Sequence, residues 1–212
     1  MEIKEAVLHS TSVRVDDGKG EVFQEIAFIG RSNVGKSSLI NMLCQKQKLA
    51  YTSSTPGKTQ CINRFLINNS WIITDLPGYG YAKLSKTKRA DLQTMINNYI
   101  RRAPGMVLLL VLLDSRHPLQ AIDLDFLLTL GQWQIPFAVA LTKTDKLSKT
   151  ALEKQMDGFK ESLSKYWDPL PPMFYTSSKT GVGRKELLDY IGSILIFVAS
   201  SNQRDNGSSA LI

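Results

Sequence analysis

Cysteine is nearly absent from this chain. Two of 212 residues, Cys44 and Cys61, cannot build a disulfide framework, and a reducing, cytoplasmic compartment is expected. Long hydrophobic runs are missing too. The longest unbroken one, Met106 to Leu113, has eight residues, whereas a membrane span needs about 20. Leu187 to Ala199 is also too short and is broken by Asp189, Gly192 and Ser193. Met1 to Ser10 carries Glu2 and Glu5 and lacks an apolar h-region, so no signal peptide is expected. No internal repeat is found. Acidic residues are in deficit: 19 against 26 lysines and arginines, a net +7, which suits an anionic partner without demonstrating one. What is present is ordinary for a folded protein. Hydrophobic residues at 43% and charged residues at 21% supply a sizeable core and exclude global disorder.

Residues 1–20 read as a polar leader with an edge strand at Ser12 to Val15, residues 21–199 as a single globular domain, and residues 200–212 as a disordered tail. Ile26 to Ile29 is a short apolar run stopped by Gly30, the pattern of a buried strand. Ser37 to Cys44 has helical spacing. Gln45 to Thr59 is a polar, basic loop containing Pro56-Gly57. Cys61 to Ile67 and Trp71 to Thr74 flank Asn68-Asn69-Ser70 as a hairpin. Helices are expected at Thr87–Ile100, Leu119–Leu130, Ala151–Tyr166 and Lys185–Val198, and strands at Val107–Leu113, Phe137–Leu141 and Met173–Tyr175. Strands alternating with helices predict an α/β domain with a mostly parallel sheet, to which the hairpin adds one antiparallel strand.

Four segments carry chemistry. Gly30-Arg31-Ser32-Asn33-Val34-Gly35-Lys36-Ser37 fits G-x-x-x-x-G-K-[ST], follows a strand and opens a helix. Glycines let the backbone wrap phosphate oxygens, and the helix N-terminus faces the anion. Lys36 would reach the β- and γ-phosphates and the Ser37 hydroxyl would ligate Mg²⁺. Asp75-Leu76-Pro77-Gly78 ends a second strand. Asp75 could hold a Mg²⁺-bound water, and Gly78 could offer its N–H to the γ-phosphate. Taken alone, this segment also describes an ordinary turn.

The third segment is Thr142-Lys143-Thr144-Asp145. A carboxylate accepts two hydrogen bonds from guanine, whereas adenine N1 is an acceptor that it repels, so Asp145 would select GTP over ATP. The Lys143 stem can lie over the base. The fourth, Thr176-Ser177-Ser178-Lys179, follows another strand, and a backbone N–H at Ser178 could donate to guanine O6.

These motifs, in this order, resemble a translation-factor-class GTPase of the Ras-like fold. With Pro56-Gly57-Lys58-Thr59-Gln60 and Asp75-Leu76-Pro77-Gly78-Tyr79-Gly80-Tyr81-Ala82-Lys83, residues 6 to 199 are similar to the EngB/YihA (YsxC) bacterial GTPases. The resemblance implies a six-stranded sheet with five helices and a cytoplasmic, monomeric GTPase. It implies a role in large-subunit ribosome assembly and in normal division and septation. It makes Thr59 a switch residue on Mg²⁺, beside Ser37 and, through water, Asp75. Lys36, Thr59 and Gly78 become the candidates for hydrolysis. The GTP or GDP contacts it implies run over Gly30, Arg31, Ser32, Asn33, Val34, Gly35, Lys36, Ser37 and Ser38; Gly57, Lys58, Thr59, Gln60 and Cys61; Asp75, Leu76, Pro77 and Gly78; Thr142, Lys143, Thr144 and Asp145; and Thr176, Ser177 and Ser178.

Two positions depart from the general GTPase pattern. Thr142 stands where Asn is common, and Tyr79 where a water-positioning Gln is common; a phenol ring cannot orient water as an amide does, so slow unassisted hydrolysis is expected. Asn33 sits where related GTPases hold K⁺ beside the phosphates. Lys83 to Arg102 contains six basic residues against one acid, and Gln45 to Arg64 four basic residues and no acid. Two such windows beside the moving segments suit ribosomal RNA. The alternatives are a P-loop kinase or ATPase of small-molecule metabolism, which Asp145 and Pro56 to Thr59 disfavour, and a septation scaffold using GTP structurally, for which the chain shows no specific element.

Overall fold

The computed structural model of the chain describes residues 1–12, 22–50, 61–80 and 85–208, the last seven by backbone alone. Its strands are β1 (Ala6–Ser12), β2 (Gln24–Gly30), β3 (Ile62–Ile67), β4 (Trp71–Asp75), β5 (Met106–Asp114), β6 (Phe137–Thr142) and β7 (Met173–Tyr175). Its helices are α1 (Lys36–Leu43), α2 (Lys86–Arg102), α3 (Ala121–Gln132), α4 (Lys149–Ser164) and α5 (Arg184–Ser208). The strands form one sheet in the order β1-β3-β4-β2-β5-β6-β7. β3 alone runs against its neighbours. The reason is local: Asn68 and Asn69 take positive φ, 49° and 52°, the conformation of a tight hairpin turn.

Six strands were expected and seven are found among the described residues. The added strand is β1, which pairs with β3 from Ala6 opposite Ile67 to Ser12 opposite Ile62. It therefore lies upstream of the Ser12–Val15 edge strand expected from sequence, of which residues 13–15 fall outside the described residues. Asn68 holds it in place: the side-chain oxygen accepts from Lys4 N at 2.8 Å and Glu5 N at 3.0 Å. At the other end of the chain, α5 continues to Ser208, past the Val198 end expected.

β5 lies between β2 and β6, and its last seven residues are all buried. That is why its sequence reads as one apolar run rather than an alternation. Alternate residues feed two layers. Leu108, Leu110 and Leu112 meet α1 and α5 through Leu39, Leu43, Leu187 and Ile191. Leu109, Val111 and Leu113 meet α2, α3 and α4 through Ile96, Leu127 and Phe159. Truncating a fully buried leucine such as Leu110 to alanine would cost about 2–5 kcal/mol.

The chain leaves β2 toward β4 on one side, then crosses to β5 on the other. The carboxyl end of β2 is therefore the point where the strand order reverses, the place where open α/β sheets leave a crevice. α1 starts there. Its far end is closed by α5: the Arg184 guanidinium donates to Met42 O at 3.2 Å and, through Nη2, to Leu43 O at 2.8 Å. Leu43 O is one of the terminal carbonyls that the helix itself leaves unpaired, while Met42 O also accepts from Gln45 N at 3.2 Å.

Candidate nucleotide site

The loop from Gly30 to Gly35 joins β2 to α1 without a side-chain cap; Gly35 occupies the cap position at φ 107°. Few residues besides glycine adopt that backbone, and the first N–H groups of α1, which have no partner within the helix, follow directly after it. The Ser32 hydroxyl is buried and has no hydrogen-bond partner among the described residues. A loop with an orphaned buried donor and a helix N-terminus fits bound phosphate.

Asp75, at the end of β4, lies beside this loop. Lys36 and Asp75 are both buried and form an ion pair. This places the lysine charge and the carboxylate where a phosphate and its metal would be shared. Among the described residues no three His, Cys, Asp or Glu side chains cluster. The donor set of one hydroxyl, Ser37, and one carboxylate, Asp75, suits Mg²⁺, which keeps waters and takes its other ligands from phosphates.

Leu76, Pro77 and Gly78 are buried and run back across the loop. A Cβ added at Gly78 would lie 2.7 Å from Gly30 O and 3.2 Å from Ser32 N, so only glycine lets this strap approach. Tyr79 N then donates to Gly30 O at 3.2 Å. The Tyr79 side chain turns away into the core, 4% exposed, stacked on Phe126 with ring centroids 4.5 Å apart. Its hydroxyl donates to Asp123 Oδ1 at 2.9 Å, the same oxygen that Arg31 Nε reaches at 3.1 Å. Burial pushes the Asp123 carboxyl up in spite of these partners. Burial, and next Asp123 itself, push the Tyr79 phenol well above its ordinary value.

The second half of the site follows β6. The Thr142 hydroxyl lies 2.6 Å from Val34 O. Lys143 takes positive φ, 61°, and its ammonium donates to Asn33 O at 2.6 Å and to Asp114 Oδ2 at 2.9 Å. Its stem passes Gly35. A 3₁₀ turn, Thr144–Lys146, presents Asp145. Thr144 is buried and donates to Thr176 O. The Ser177 hydroxyl donates to Asp145 Oδ1 at 2.7 Å and so holds that carboxyl below its ordinary value. Thr176 and Ser177 are buried, while Ser178 is exposed. Asp145 is half-buried rather than sequestered. The structure thus gathers three of the four motifs' side chains around one phosphate loop and the fourth beside Asp145.

Sequence reading missed Asp114, which anchors Lys143 from the end of β5. Its signal was available: an acid ending a buried apolar strand, as at Asp75. It also missed Asp123, inside α3. Gly57, Lys58, Thr59 and Gln60, with the switch threonine and its Mg²⁺ contact, lie outside the described residues, as do Tyr81, Ala82 and Lys83.

The basic windows need correction. Arg64 is no surface cation: it is largely buried and paired with Glu25, which also accepts from the Thr74 hydroxyl at 2.8 Å and from Tyr99. Arg101 and Arg102 close the far end of the 17-residue α2, about 24 Å from its start, with Arg101 over the Trp133 ring. Lys46, Lys48, Lys86, Lys88 and Arg89 are exposed. No helix among the described residues is long and apolar enough to cross a membrane.

A Ras-like α/β fold with the phosphate-loop motif at its switch point defines a P-loop GTPase. Comparison with known proteins narrows this. Residues 25–143 match a family model described as a 50S ribosome-binding GTPase. The chain is 50% identical over 194 residues to a probable GTP-binding protein EngB of Porphyromonas gingivalis, covering 92% of this chain and 96% of that one. The corresponding protein of Christiangramia forsetii is 46% identical, with 92% and 98% covered. A crystal structure of a probable GTP-binding protein EngB superposes with TM-score 0.65 at 26% identity, covering 81% of this chain and 98% of that one. Aquifex aeolicus Era bound to GDP and aluminium fluoride shares the fold, with TM-score 0.65 at 22% identity over 81% of this chain and 56% of that one. The chain belongs to the EngB family of GTP-binding proteins, GTP-hydrolysing enzymes that take GTP or GDP with Mg²⁺.

Proposed function

We propose that this GTPase is a cytoplasmic, monomeric switch acting in assembly of the large ribosomal subunit, and that normal division and septation depend on that work. The observation that carries this reading is the exposed cationic first turn of α2, with Lys86, Lys88 and Arg89, a few residues after the Gly78 strap. A basic surface beside the segment that senses the γ-phosphate suits an RNA partner whose affinity follows nucleotide state. The 50S ribosome-binding description of the matching family model supports it.

In this reading Lys36 binds the β- and γ-phosphates, Gly78 N–H meets the γ-phosphate, and Asp145 takes guanine N1–H and the exocyclic amine. Lys143 and Thr142 hold the base-reading loop to the phosphate loop. Ser37, Asp75 through water and Thr59 would hold Mg²⁺, which would supply positive charge to the phosphates. The exposed Asn33 side chain offers an oxygen for K⁺.

The test is co-sedimentation with large-subunit particles with GDP or a non-hydrolysable GTP analogue. Binding should favour the triphosphate form and weaken with salt, each neutralised phosphate adding about −0.7 to −0.9 to the log–log slope. Reversing Lys86, Lys88 and Arg89 to glutamate should abolish co-sedimentation while GTP affinity holds. Wild-type levels of co-sedimentation in that variant would remove the RNA reading, and depleted cells without large-subunit precursors would remove the assembly role.

A further inference from the structure

Asp123 is a node that no motif of the site includes. It belongs to α3, it is 2% exposed, and its Oδ1 receives both the Arg31 guanidinium from the phosphate loop and the Tyr79 hydroxyl from the strap. A single carboxylate oxygen thus ties the phosphate loop to the strap that crosses it. Their backbones are joined as well: Arg31 and Tyr79 form an isolated parallel bridge. The Tyr79 ring is fixed by its stack on Phe126. Next to this anchor, Gly78 is pressed on Gly30 O so closely that no Cβ would fit. The Gly78 N–H belongs to the Pro77–Gly78 peptide, which is joined through Gly78 to a residue held by its ring, its hydroxyl and its backbone N–H.

We infer that Tyr79, anchored on Asp123, is a positioning residue that sets the direction of the Gly78 N–H and so the protein's preference for a third phosphate. A tyrosine at this position does not orient water. It fixes the strap from behind, at the distance where Gly78 can turn its N–H outward while Tyr79 stays put. Arg31 extends the same tie to the phosphate loop, so strap and loop hold a common register. GDP offers nothing for Gly78 to meet, so its affinity is insensitive to the anchor; a triphosphate loses a contact when the anchor is cut. The inference rests on the reading that the strap faces the γ-phosphate.

Tyr79→Phe removes the hydroxyl and keeps the stacked ring. Affinities for GDP and for a non-hydrolysable GTP analogue, both with Mg²⁺, are measured by competition with a fluorescent guanine nucleotide. The expected result is a loss of triphosphate preference of about fivefold or more with GDP affinity held. Asp123→Asn weakens the acceptor and discharges the partner of Arg31, and it gives a second reading should the tyrosine variant not fold. In the double variant the two losses should not add, because they cut one link. A preference within about threefold of wild type in the folded variants overturns the inference, including when melting temperature falls, since a merely structural role would move stability and leave the ratio alone. Wild-type protein that binds both nucleotides equally overturns the strap reading itself and is thereby told apart from failure of the anchor.

Discussion

The Thr142 hydroxyl, at the end of β6, sits 2.6 Å from Val34 O and 3.2 Å from Leu113 O. One side chain from the base-reading segment therefore binds the phosphate loop and β5 together. An asparagine, common at this position in related GTPases, would do this with an amide. Here β6 and the loop approach closely enough for a hydroxyl to serve, and Thr142 is 3% exposed.

Thr142→Val keeps the shape and removes the donor. The Val34 carbonyl would lose a partner, at about 1–3 kcal/mol. GDP and GTP affinities should fall together, by about tenfold for each 1.4 kcal/mol that reaches the site, while Thr142→Ser remains near wild type. Titration calorimetry with both nucleotides checks this; a loss confined to one nucleotide would contradict it.

Asp145→Asn exchanges an acceptor-only group for an amide, which should shift preference from guanosine to xanthosine nucleotides. Ser177→Ala tests the same carboxylate differently. The Ser177 hydroxyl keeps the Asp145 carboxyl below its ordinary value, so its removal raises that value. With guanine read by that carboxylate as proposed, the acid limb of GDP binding should move to higher pH. A pH series of GDP affinities in both proteins measures the displacement.

Asp114 gives a stability prediction with a definite sign. Burial would raise its carboxyl, but hydrogen bonds from Arg116 and Lys143 outweigh burial and hold it well below the ordinary 3.8. Below pH 3.8 the unfolded chain binds a proton that the folded chain refuses, so this stabilisation is complete above that pH and lost as pH falls through the folded value. Arg116→Ala should lower stability at neutral pH and flatten its pH dependence on the acid side. Urea unfolding between pH 2 and pH 7 reads both effects.

Unassisted turnover should be about 10⁻² s⁻¹ or slower, the range of switch GTPases without an activating partner. Potassium beside Asn33 would supply such a charge. Phosphate release should then be faster in KCl than in NaCl, and Asn33→Ala should erase the difference. Equal rates in both salts, with and without ribosomal particles, would exclude the cation.

Local pattern was enough for most elements because apolar periodicity and the turn residues that bound it lie within single windows of sequence. Met173 to Tyr175 lies where its apolar run placed it, and Gly35 and Gly78 stand where the motif requires glycine. β1 was misplaced because Ala6 to Ser12 pairs on one side only and carries little apolar periodicity. Arg64 read as surface charge because its partner Glu25 is 39 residues away. The anchor between Tyr79 and Asp123 spans 44 residues. Ion pairs and buried hydrogen bonds of that span are products of tertiary packing, and no window of sequence contains both members.

Arg184 closes the end of α1 from 141 residues further along the chain, and Leu187, Leu188 and Ile191 complete the layer against which α1 rests. The helix that opens at the phosphate loop is therefore braced by a helix far along the chain, and Arg184→Ala should loosen α1 and weaken nucleotide binding without touching any nucleotide contact.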